Sequence, residues 1–96
     1  IENFDKYCNM LIKSGNTKIP LEFAVNLYKL KKFQQAFYYF SLLKENNHPI
    51  ARFYLGVMKF YGQGCLIDKK ESFDILNELS NNGIERATDF IEDHFI

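Results

Sequence analysis

Thiols, imidazoles and carboxylates are the side chains with which chemistry would begin, and this chain spaces them poorly for it. Its two cysteines, Cys8 and Cys65, are far apart in sequence. Two is too few for a disulfide scaffold and the wrong number for a structural zinc site. Buried or half-buried thiols are the simpler reading, with a single Cys8–Cys65 disulfide left open. His48 and His94 are the only histidines. His48 precedes Pro49 beside Glu45 and Asn47 and reads as a capping or solvated residue. His94 follows Asp93 near a helix end, where a cation suits the dipole. Neither has a second matched ligand, and nothing pairs Cys65 with a histidine as a nucleophile. Gly62-Gln63-Gly64 imitates a phosphate-cradling loop, but it follows a helical pattern and lacks the Lys-Ser/Thr that touches phosphate. No acid–base pair stands out, so no catalytic residue, metal or cofactor is expected.

Two further constellations bear on binding. Lys29, Lys31 and Lys32 cluster near Tyr28, Tyr38 and Tyr39. Basic and aromatic residues together could touch RNA, but arginine is scarce in this half and a solvated helix end explains the lysines better. Phe53, Val57 and Phe60 repeat at i, i+4 and i+7, an apolar stripe that either packs on neighbouring helices or lines a groove for a partner. Asp89, Glu92 and Asp93 read as a solvated acidic face.

The elements that must position these residues are helices. Of 96 residues, 47% are hydrophobic and 17% aromatic, which excludes a disordered tail and suffices for one domain. Helical periodicity dominates and strand alternation is scarce. Phe4, Tyr7, Cys8, Leu11 and Ile12 form one stripe over 2–14, ended by Gly15 and Asn16. A second helix over 20–30 turns Leu21, Ala24, Val25 and Tyr28 inward, with Pro20 in its first turn. A third over 33–46 aligns Phe33, Ala36, Phe37, Phe40 and Leu43. A fourth over 49–61 is apolar nearly all round, and such a helix is either sandwiched between neighbours or presents an apolar groove. Asp68 and Glu71 resemble a capping box opening a fifth helix over 69–82, with Phe73, Leu76 and Leu79 buried and Gly83 as its stop. The last helix, over 84–95, is one-sided like the first, as a short capped stack requires.

Ala51 and Ala87 stand 36 residues apart, each early in a helix of a pair, and such a period signals a helical solenoid. The segment between them closely resembles a Sel1-like repeat, the tetratricopeptide-related α/α repeat. Ala51, Leu55, Gly56, Gly62, Gly64, Asp68, Gly83 and Ala87 match it. Ser72, Cys65 and Lys59 depart from it, where the family prefers Ala, Val and Tyr. Residues 17–50 look like an ordinary tetratricopeptide repeat, through Ala24, Leu27, Phe33, Ala36, Phe40 and Leu43. The expected fold is all-α: an α/α superhelix, a short right-handed solenoid of antiparallel helix pairs. It would comprise an N-terminal capping helix (1–16), a tetratricopeptide-like pair (17–50), a Sel1-like pair (51–83) and a C-terminal helix (84–96).

The resemblance implies a non-catalytic protein-interaction module, an adaptor or scaffold whose concave face binds a partner helix or segment. By resemblance, Lys18, Leu21, Val25, Tyr28 and Lys29 line that face in the first pair, and Phe53, Val57 and Phe60 in the second. Tetratricopeptide clamps for a C-terminal carboxylate carry Lys and Asn where Leu21 and Val25 stand, so that specificity is not expected. RNA binding through the basic N-terminal half is the alternative function.

The formal net charge of zero is a cancellation. Residues 1–60 hold nine Lys and Arg against four Asp and Glu, and residues 61–96 hold three against eight. Opposite ends could join head to tail, a self-association that salt would weaken. No apolar run is long enough for a transmembrane segment, and no secretory signal or sequon occurs. The chain opens on Ile1, so a processed or excised form is expected. An intracellular, reducing compartment is favoured: cytoplasm, nucleus or mitochondrial matrix.

Overall fold

The computed structural model describes residues 2–96. Ile1, with which the expected capping segment starts, lies outside them. The described residues form six helices and no strand: α1 (Glu2–Lys13), α2 (Lys18–Lys29), α3 (Phe33–Lys44), α4 (Pro49–Tyr61), α5 (Lys69–Asn81) and α6 (Glu85–His94). α2 starts two residues before the expected Pro20, which still falls in the first turn, where its missing N–H costs no helical bond.

From α2 onward each helix packs antiparallel on the next. Phe23 meets Tyr39 and Tyr28 meets Phe33 across α2–α3. Phe40 stacks on Tyr54, and Lys59 lies over the Phe37 ring, across α3–α4. Arg52–Glu78 and Lys59–Glu71 pairs join α4 to α5. Ser80 to Thr88 and Phe73 to Phe95 join α5 to α6. α1 runs alongside α3 in the same direction, through Asp5–Tyr39 and Asn46 to the Ile12 carbonyl. The result is an elongated all-α stack of 43 × 25 × 18 Å.

Small side chains set the spacing. Ala24, Ala36, Ala51, Ser72 and Ala87 have no solvent exposure. A Cβ on Gly56 would sit 2.9 Å from Leu76 Cγ, so α4 and α5 approach as closely as that glycine allows. One core joins α1–α4 around Phe40, Leu43 and Met58. A second joins α5 and α6 around Leu76, Leu79, Ala87 and Ile91, with Phe53 of α4 against it. α4 thus packs between neighbours on two sides, one of the two arrangements that its all-round apolar sequence leaves open.

Four expected details differ. Phe73 is 37% exposed, because the buried stripe of α5 runs through Ser72, Leu76 and Leu79, rotating Phe73 to the rim. Tyr7 is likewise exposed on α1. The capping box is half formed. Asp68 accepts from the Glu71 N–H at 3.0 Å, but the Glu71 carboxylate turns to Lys59 instead of reaching back. The Asp68 N–H donates to the Lys59 carbonyl at 2.8 Å. His48 holds the N-cap position of α4 without a side-chain cap bond, and its Nδ1 is buried with no hydrogen-bond partner among the described residues.

Candidate functional site

α2, α4 and α6 share one side of the stack. α4 lies between the other two. Its Tyr54 meets Tyr28 of α2 at 5.2 Å between ring centroids, and its Phe53 and Phe60 meet Phe90 of α6 at 6.5 and 5.4 Å. Between these helices runs an open groove of about 490 Å³. Leu21, Val25 and Lys29 of α2, Ile50 and Tyr54 of α4, and Arg86 of α6 line it, with Glu22 and Asn26.

Leu21, Val25 and Lys29 are three of the eight residues expected on the concave face. Lys18 is exposed at the start of α2, outside the groove lining. Tyr28 is half-buried between Phe33 and Tyr54, and its hydroxyl donates to Gln63 Oε1 at 2.9 Å. It ties α2 to the loop after α4. Burial pushes its phenol above the ordinary value, opposed by the bond to Gln63.

The stripe of Phe53, Val57 and Phe60 faces α6. Val57 is 7% exposed. Phe60 packs edge-on against Phe90, His94 and Phe95, and Arg86 lies 4.9 Å over the Phe53 ring. Of the two readings that the spacing leaves open, this is packing on a neighbouring helix, and the neighbour is the chain's own C-terminal helix. The groove face of α4 is instead Ile50 and Tyr54, one helical position further round. Ile50 and Tyr54 are i and i+4, so this face was present in the pattern, but Phe53, Val57 and Phe60 made the longer apolar run. Arg86 and Glu22 carry no local sign of a place in the groove; only the placement of α2 and α6 beside α4 brings them in.

The remaining chemical candidates stay dispersed. Both thiols are free, Cys8 buried in α1 and Cys65 in the loop, where its Sγ points to the Met58 carbonyl at 3.5 Å. Burial pushes both thiols up, with the Asp5 charge adding to it at Cys8 and Lys59 opposing it at Cys65. His94 Nε2 shares a 2.9 Å hydrogen bond with the Tyr61 hydroxyl, and its Nδ1 lies 3.0 Å from the Phe90 carbonyl. Its ring stacks on Phe90 at 3.9 Å. Among the described residues no three His, Cys, Asp or Glu converge as a metal site would require. No helix among the described residues is long and apolar enough to cross a membrane.

No family model, curated protein or solved structure matches the chain.

Proposed function

We propose that this chain is a non-catalytic protein-interaction module of the Sel1-like, tetratricopeptide-related kind. It would act as an adaptor or scaffold by holding an extended or helical segment of a partner in the α2–α4–α6 groove. The groove itself carries the reading. Leu21, Val25, Ile50 and Tyr54 provide its apolar floor, and Lys29, Arg86 and Glu22 its charged sides. An apolar floor with polar edges buries a partner's aliphatic side chain and fixes its orientation by charge. The two cations against one anion favour a segment with an acidic residue beside its apolar anchor.

Panning a displayed peptide library against the folded domain tests this. Selected peptides should lose binding to Val25→Glu and weaken with Lys29→Glu, while Asn77→Lys on the exposed face of α5 leaves them bound. Thermal unfolding confirms that each variant is folded. Peptides that bind all three variants equally would remove the groove from consideration.

A further inference from the structure

On the opposite face of α2 lies a second recess, independent of the groove. Its volume is about 660 Å³, within the range of small-molecule sites. Four aromatic rings from three helices wall it. Phe4 of α1 packs on Phe23 of α2 at 4.5 Å between centroids, Phe23 on Tyr39 of α3 at 5.0 Å, and Tyr39 on Tyr38 at 5.0 Å. Tyr38 is 46% exposed, so its ring is open to a ligand at the mouth.

A carboxylate sits among these rings. Asp5 is half-buried, and its Oδ1 accepts from the Tyr39 hydroxyl. None of the ion pairs among the described residues involves Asp5. Its negative charge at the wall of the recess would attract a bound cation. Aromatic faces add attraction for that cation, and they favour one whose hydration is weak. Lys32 is exposed at the rim, where water screens its charge.

We propose that this recess binds an organic cation bearing a trimethylammonium group, seated on the aromatic rings with its charge toward Asp5. A small inorganic cation is less suited, because Asp5 is the one carboxylate in a lining that is largely aromatic and aliphatic, with Gln34 and Gln35 as the only amides. A neutral group of the same shape would fill the space and forgo the attraction of Asp5.

Titration of the 96-residue chain with tetramethylammonium chloride, followed by aromatic NMR shifts against matched sodium chloride, tests the assignment. Saturable shifts should appear on Phe4, Phe23, Tyr38 and Tyr39. tert-Butanol, the neutral analogue, should bind at least about tenfold more weakly. Asp5→Asn should lower tetramethylammonium affinity by a similar factor. Because Asp5 also holds Tyr39, Tyr38→Ala provides a second variant at an exposed position, and it too should weaken binding. Choline and a trimethyllysine peptide then separate the two sources of the group: tighter binding of either supports the site and names its source. Equal binding of tert-butanol, an absence of saturable shifts, or unchanged affinity in the folded Tyr38→Ala protein would overturn the proposal.

Discussion

At the scale of single residues, polar atoms at helix contacts carry more consequence than the residues that first suggest chemistry. Ser72 is fully buried and donates to the Gly56 carbonyl at 2.7 Å, where α5 packs on the glycine of α4. Ser72→Ala should cost about 1 kcal/mol, lowering the melting temperature by about 4–8 °C in a domain of this size. Calorimetry would check it, and no change would mean that the bond adds nothing beyond packing. Tyr28 makes a pH prediction. Its folded pKa is raised, so the folded protein holds the phenolic proton more tightly than the unfolded chain does. Its contribution is therefore fully present below the ordinary tyrosine value of 10.0 and is lost as pH rises through the folded pKa. Urea unfolding between neutral and strongly alkaline pH should show stability falling, and Tyr28→Phe should flatten part of that fall.

At the scale of elements, the helices end by one repeated device. α1, α2, α4 and α5 each close with a bond from the residue after a positive-φ position back to the carbonyl five residues earlier: Asn16 to Leu11, Lys32 to Leu27, Gln63 to Met58 and Ile84 to Leu79. Three of these positions are glycine, and the fourth is Lys31 at φ 63°. A β-carbon is disfavoured in that conformation, so Lys31→Gly should stabilise the protein by about 0.5–1 kcal/mol. Denaturant midpoints would show it. Gly64 is the opposite case. Its φ is 74°, and a Cβ would collide with the Phe33 backbone carbonyl at the start of α3. Gly64→Ala should therefore detach the loop from α3 and lower stability by more than about 1 kcal/mol, seen as faster hydrogen exchange at Gln63 and Cys65. The six helices were legible because each stripe repeats at 3.6 residues and the stops after α1, α3, α4 and α5 carry a Gly or Asn. Lys31 was not, since nothing in a lysine announces a left-handed backbone; the chain turns there because α3 must fold back on α2.

At the scale of the whole molecule, α6 decides what α4 offers. It covers the stripe of Phe53, Val57 and Phe60, leaving Ile50 and Tyr54 to the groove. Phe53→Ala with Phe60→Ala should therefore act first on stability, by about 2 kcal/mol or more, and thermal unfolding would register it before any loss of binding. A double variant with an unchanged melting temperature would return the stripe to the list of partner surfaces. Charge acts at the same scale. The three ion pairs among the described residues lie within and between α4 and α5, while Lys6, Lys13, Lys18, Lys29, Lys31, Lys32 and Lys44 of the leading half are exposed. Glu85, Asp89, Glu92 and Asp93 are exposed on α6. Head-to-tail self-association through these ends would appear in sedimentation at low salt and vanish at high salt; a single monomeric species in both would exclude it.

The sequence by itself determined the helices, most of their stops, the small residues at their contacts and the opposite charge of the two halves. Those features depend on local periodicity, backbone preference and composition, all of which are written in neighbouring positions. Only the tertiary structure decided which apolar face remained open. Phe53 and Tyr54 are adjacent in the chain and similar in character, and they point about 100° apart on one helix. Whether either meets a partner or the protein's own next helix depends on where α2 and α6 dock. The same holds for the recess of Phe4, Asp5, Phe23 and Tyr38, whose members lie on three helices and share no local pattern.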